Sequence, residues 1–205
     1  MNFGLYFNLG IEHITDPFGY DHILFIVAMS SNYRVFQWKN IALLVTAFTI
    51  GHSIALAMAV LEIVPVNSAL IEFLIPITIL VSCIRNMSFP QADMHPHSQV
   101  AVKKNYLAYI LILIFGLIHG LGFSNFLKET LVANESIFTP LLAFNLGLEV
   151  GQLIIVFICL LINLLFLDLL RKHPRDWTMV ISGGVASIAL LLAFEKGFLL
   201  FGTVS

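Results

Sequence analysis

Six apolar stretches separated by short polar segments run along the chain, at about Phe18–Ser31, Asn40–Leu61, Ser68–Met87, Asn105–Phe123, Thr139–Leu167 and Trp177–Leu200. Most approach or exceed the ~20 residues an α-helix needs to cross ~30 Å of hydrocarbon. The fifth is long enough to tilt or to extend beyond the bilayer. The first is too short alone, so "DPFGYDH" must lie partly at membrane depth. Upstream of it, Phe3, Tyr6, Phe7 and Ile11 line one helix face, which predicts an interfacial or re-entrant segment over Asn2–Ile14. The runs are too long and continuous for the alternating strands of a β-barrel. The pattern predicts an all-α polytopic membrane bundle of six transmembrane helices plus the short N-terminal segment, with residues 1–205 as one integral membrane domain.

Local signals fit these boundaries. "PVNS" offers Asn67 or Ser68 as a cap for the third span, and Thr139–Pro140 opens the fifth with a hydroxyl and a first-turn proline. Pro76 interrupts the third span and cannot donate to the carbonyl of Glu72. Gly116 and Gly120, and again Gly147 and Gly151, are four apart, a spacing that lets helix backbones approach closely. "FPQADMHPHSQ" reads as a polar loop, with His95 and His97 as plain loop residues, and Glu62 as a solvated helix end. No internal repeat is evident in the residue pattern. The N-terminal stretch lacks a basic region and a small-residue cleavage site, so no cleaved signal peptide is expected.

Composition narrows the class. Hydrophobic residues make up 59% of the chain and charged residues 11%, which excludes an ordinary soluble domain. The formal net charge of -2 gives no reason to expect a nucleic-acid partner. The two cysteines, Cys83 and Cys159, lie in apolar runs without a CxxC neighbour and read as packing residues. Lysine and arginine are distributed unevenly. Arg34 and Lys39, then Arg85, Lys103 and Lys104, then Arg171, Lys172 and Arg175 fall in alternate loops, leaving only Lys128 and Lys196 opposite. Positive residues mark cytoplasmic loops. The expected location is therefore the cell membrane, multi-pass, with both termini extracytoplasmic.

The polar residues within the spans are the most informative. Asp21 and His22 open the first span, and His52 lies in the outer half of the second. Glu72 is one turn into the third, His119 in the outer half of the fourth, and Glu195 near the outer end of the sixth. Asn145, Glu149 and Gln152 share one face of the fifth. The inner half offers only neutral groups such as Ser82, Cys83, Asn163, Ser182 and Ser187. Ionisable groups inside a bilayer are expensive unless paired or hydrated, so this asymmetry predicts one shared polar pocket opening outward.

Imidazoles and carboxylates are ligands for a divalent transition metal such as nickel, cobalt or zinc. The candidate ligands are His22, His52 and His119, with Asp21 and His13; Glu72, Glu149 and Glu195 could complete the sphere or serve as a base. Asn145 and Gln152 read as pocket-lining hydrogen-bonding groups. The first functional reading is a divalent-cation permease. The alternative is a membrane-embedded metal-dependent hydrolase with its site facing outward, and a third is a non-catalytic metal receptor or assembly subunit. The expected partners are the lipid bilayer and the metal ion, and the composition permits a homo-oligomer.

The stretches "GIEHITDPFGYDHILFIVAM", "VTAFTIGHSIALAMA", "IEFLIPITILVSCIRN", "FGLIHGLGF" and "FNLGLEVGQL" resemble, in order, those of the HupE/UreJ family of hydrogenase- and urease-associated membrane proteins. The resemblance implies a multi-span fold and nickel or cobalt permease activity. The family's histidine and Asp-His pattern maps onto His13, Asp21 and His22, and its later glycine-histidine motifs onto His52 and His119. The gap before Asp-His is longer than in the better-known branch, and "IHGLGF" has a single histidine, so the chain looks more like a second branch.

Overall fold

The structure, a computed structural model, describes residues 3–89, 106–130 and 137–202, with 125–130 described as backbone only. The His95 and His97 loop, with Lys103 and Lys104, lies outside the described residues. Among the described residues seven α-helices follow one another: α1 (Phe3–Thr15), α2 (Asp21–Ser30), α3 (Trp38–Val60), α4 (Ser68–Ser88), α5 (Tyr106–Thr130), α6 (Phe138–Asn163) and α7 (Pro174–Gly202). A 3-10 turn (Val35–Gln37) leads into α3, and a π-helical turn (Leu164–Leu169) extends α6. No strand occurs among the described residues.

Among the described residues five helical stretches, from Val35–Val60 to Pro174–Gly202, are long and apolar enough to cross a membrane, and α2 is a shorter apolar helix. Their outward faces are apolar too, as at Phe157, Leu191, Phe194 and Phe198. A continuous apolar exterior of this kind needs a lipid solvent.

Helix ends follow their local chemistry. Asn67 caps α4 by accepting from the Leu70 backbone nitrogen at 3.2 Å. α6 begins one residue earlier than "TP" suggests, at Phe138, so Thr139 lies within the first turn rather than at the cap. α3 ends with Glu62 in the left-handed region (φ 56) and the Ile63 nitrogen donating back to the Met58 carbonyl at 2.9 Å, which closes the last turn.

Three helix pairs build the bundle: α1 on α6, α3 on α5, and α4 on α7. Glycines make the first two pairs close. A methyl group on Gly10 would collide with the Phe144 carbonyl, and one on Gly147 with the Phe7 carbonyl. In the other pair, Gly51 lies against the Leu113 carbonyl, Gly116 against the Phe48 carbonyl, and Gly120 against the His52 carbonyl. Residue numbers rise together across both contacts, so α1 runs parallel to α6 and α3 parallel to α5. α4 and α7 are antiparallel, with Glu72 beside Lys196 and Pro76 near Leu192.

α2 runs in the same direction as α1, α4 and α6. Its start lies by Glu72 and its Ala28 carbonyl accepts from Asn86 of α4 at 2.6 Å. A ten-residue helix ending among apolar neighbours leaves carbonyls that water cannot reach. Side chains supply the donors. Asn163 of α6 donates to the carbonyls of Ser30 and Tyr33, and Thr178 of α7 to that of Ser31. Trp177 in turn donates to Asn163 Oδ1 at 2.9 Å, fixing the amide's orientation. Further out on this end, Arg34 pairs with Asp168 at 3.2 Å.

Candidate metal centre

The helix directions bring four histidines to one level. His13 lies at the C-terminal end of α1, His22 at the start of α2, His52 in α3 and His119 in α5. Ring centroids are 4.6 Å apart for His13 and His22, 5.9 Å for His13 and His52, and 5.2 Å for His22 and His119. One ligand atom each from His13, His22 and His52 falls within 4.8 Å of the others. His22, His52 and His119 are buried.

Their nitrogens lack partners. Nε2 of His13, Nε2 of His22, both ring nitrogens of His52, and Nε2 of His119 are buried with no well-formed hydrogen bond. Burying a polar atom without compensation costs on the order of 1–3 kcal/mol each, so five in one place make this cluster the candidate ligand site. His119 shows how a ring is readied. Its Nδ1 donates to the Phe115 carbonyl at 2.8 Å, which leaves the lone pair on Nε2, facing the other rings. Asn145 stands beside His52 without completing a well-formed bond, and its own amide nitrogen donates to the Leu141 carbonyl.

The trio is close to a metal shell. A tetrahedral zinc-like ion with ~2.1 Å bonds needs nitrogens about 3.4 Å apart. Three atoms within 4.8 Å of one another reach that spacing when each moves inward by at most roughly 0.8 Å. His119 stands beside this trio, its ring centroid 5.2 Å from that of His22.

The carboxylates are sorted away from the rings. Glu72 pairs with Lys196 at 2.9 Å, with both side chains partly exposed. Asp21 and Glu195 line the same mouth. Glu149 accepts from the Thr46 hydroxyl at 2.8 Å, and Gln152 accepts from Thr49 at 2.9 Å. The polar face of α6 is thus bonded to α3, while its glycine face meets α1. Thr46 and Thr49 escape a search for ionisable groups, although their spacing places them on one side of α3, the side that meets α6.

A cavity of about 280 Å³ connects the mouth to the rings. Asp21, Glu72 and Lys196 line its entrance, and His13, His22 and His119 its floor. On the far side the cluster meets aromatic rings. Phe25 and Phe48 stack at 5.0 Å, and Phe48 lies 5.2 Å from His119. Beyond them is a smaller pocket lined by Met29, Tyr33, Ser82, Arg85 and Asn86, with Phe115 facing it.

The comparisons with known proteins add one match. A family model described as "HupE / UreJ protein" matches residues 1–196. No curated protein and no solved structure matches the chain.

Proposed function

The chain belongs to the HupE/UreJ family, and from that premise we propose that it is a single-domain membrane permease for a divalent transition-metal ion of the nickel, cobalt or zinc type. The ion is the cargo, held by His13, His22 and His52 with His119 as the fourth donor. The observation that carries this reading is the convergence of four histidines with five unpartnered ring nitrogens, three of those histidines lining an open cavity. Neutral imidazoles without a thiolate suit borderline divalent ions. Asp21 and Glu72 at the mouth supply negative charge along the approach, and Asp21 lies one residue from the ligand His22.

In this reading α1 and α2 form one broken crossing. They point the same way, and their lengths of about 20 Å and 15 Å together span the hydrocarbon. With α3 to α7 that makes six spans, and the break falls at the metal site, as in transporters whose discontinuous helices form the binding site. The distribution of lysine and arginine supports an orientation with the Arg34, Arg85 and Arg171 ends in the cytoplasm and both termini outside. The cavity then opens outward.

A metal-dependent hydrolase would use the same rings, with Glu72 as base; what favours it is that Glu72 lines the same cavity as His13, His22 and His119. Metal analysis of the purified protein, followed by Ni²⁺ uptake into sealed vesicles, separates the two. The permease shows saturable uptake that is lost in His52→Ala and His119→Ala. Tight binding without flux overturns transport, and no bound metal overturns both.

A further inference from the structure

The α1·α6 pair and the α3·α5 pair are built on one register. Shifting α1 by 106 positions carries Phe7, Gly10 and His13 onto Leu113, Gly116 and His119 of α5. Shifting α6 back by 96 carries Phe144, Gly147 and Gly151 onto Phe48, Gly51 and Ala55 of α3. The backbone contacts obey both shifts. Gly10 meets the Phe144 carbonyl and the Leu148 nitrogen, and Gly116 meets the Phe48 carbonyl and the His52 nitrogen. Gly147 meets the Phe7 carbonyl, and Gly51 the Leu113 carbonyl. Ile14 lies on Gly151, and Gly120 on Ala55, with the larger side chain exchanged between helices.

The direction of each helix fixes the symmetry. α1 is antiparallel to its counterpart α5, α6 to α3, and α4 to its partner α7. Only a two-fold axis perpendicular to the helices relates such sets. The two glycine-packed pairs are therefore related as an inverted repeat, α1-α3 against α5-α6, with α4 and α7 antiparallel beside them and α2 outside the repeat. Inverted repeats let a carrier expose one central site to either side by exchanging the conformations of its halves.

The histidine cluster lies where the two glycine-packed pairs meet, and an aromatic ring flanks it in each half. Phe48 contacts His119 at 5.2 Å and stacks on Phe25 at 5.0 Å. Its counterpart Phe144 contacts His13, the counterpart of His119, at 5.8 Å and stacks on Phe123 at 5.2 Å. The Phe25–Phe48 stack is fully buried, one turn from His22 and His52 along α2 and α3 toward Met29 and Leu44, which line the Arg85 pocket. Phe123 borders the open cavity.

We propose that Phe48 and Phe144 are paired gates of this inverted repeat: Phe48 with Phe25 seals the metal site from the Arg85 side, and Phe144 with Phe123 closes over it from the cavity side when the carrier turns. The assignment rests on the permease reading, and the experiment separates the two. Ser82, which lines the Arg85 pocket, is replaced (Ser82→Cys) in full-length protein carrying Cys83→Ala and Cys159→Ala, in oriented vesicles. A membrane-impermeant maleimide is added on the cavity side. The thiol is protected when Phe48 is present; Phe48→Ala raises its labelling rate about tenfold or more, the factor that a modest loss of barrier produces. Phe48→Leu, which keeps apolar bulk, stays protected and shows that labelling reports the opening rather than collapse. No labelling in Phe48→Ala overturns the seal.

The second arm uses Gly122→Cys, an exposed position lining the cavity. Ni²⁺ should lower its labelling and raise that of Ser82→Cys from the opposite side, and Phe144→Ala should abolish the first effect. Reciprocal changes that survive Phe144→Ala overturn the pairing of gates. No Ni²⁺ effect on either thiol, with the Phe48→Ala opening intact, overturns the carrier reading and leaves the seal standing.

Discussion

Gly116→Ala tests whether backbone approach between α3 and α5 sets the geometry of the histidines. A methyl group there would lie 3.0 Å from the Phe48 carbonyl carbon and 3.1 Å from the His52 nitrogen, and closer still to the Phe48 oxygen. Carbon atoms prefer separations of about 3.5–4.0 Å, so the helices must part by roughly 1 Å. The obstructing atoms are backbone and cannot rotate away. Overpacking of this size costs about 1–3 kcal/mol. It also moves His52 relative to His119, because one ring sits on each helix. Mispositioning a ligand by this amount should weaken metal binding about 10–100-fold, the range seen when an orienting partner is lost. The assay is thermal unfolding of the detergent-purified protein beside Ni²⁺ titration calorimetry. Gly183→Ala and Gly184→Ala are the controls, since added methyls there meet nothing within 4 Å. These should be neutral, or stabilising by up to ~1 kcal/mol through helix propensity. Wild-type melting and affinity in Gly116→Ala would refute the reasoning. So would equal losses in the controls.

Two further substitutions test the polar fastenings. Thr49→Val leaves Gln152 Oε1 without its 2.9 Å donor in a buried position; the expected loss is about 0.5–2 kcal/mol, between interhelical bonds in membranes and buried unsatisfied groups in water, read by unfolding in mixed detergent. Asn163→Leu removes the donors to Ser30 and Tyr33 together with the Trp177 acceptor. The end of α2 should then open, seen as faster amide hydrogen exchange over residues 28–33 while α4 and α5 keep wild-type protection.

How much of this was readable before folding depends on which coordinate a side chain needs. Depth along a helix can be counted, because each residue advances 1.5 Å. A common level for His22, His52 and His119 was therefore legible in the apolar runs. Azimuth cannot be counted, because it depends on which neighbour each face meets. The i, i+4, i+7 face of Asn145, Glu149 and Gln152 was visible, but Thr46 and Thr49 as its partners were not. Glu72 shows the same limit, since its bond to Lys196 follows from the antiparallel contact of α4 with α7. α1 was harder still. Thirteen residues fall short of a span, and its parallel glycine contact with α6 is a feature that the residue pattern of α1 alone does not announce.

The inverted repeat escaped the residue pattern for a physical reason. Two helices that pack backbone to backbone demand small residues only at the contact, at Gly10, Gly51, Gly116 and Gly147. Lipid-facing positions accept nearly any apolar side chain, so they carry no memory of a counterpart. The extra helix α2 also breaks the spacing between the halves, which defeats any search for a fixed period. What survives in sequence is the register of glycines and of His13 with His119. The departures from symmetry are concentrated at the site, where His52 answers to Leu148 and His22 comes from the helix with no counterpart. A perfect two-fold would set matching donors on both sides of the axis and allow two equivalent half-sites. Replacing one histidine by leucine and adding His22 collects the imidazoles into one set, as the proposed carriage of a single ion would require.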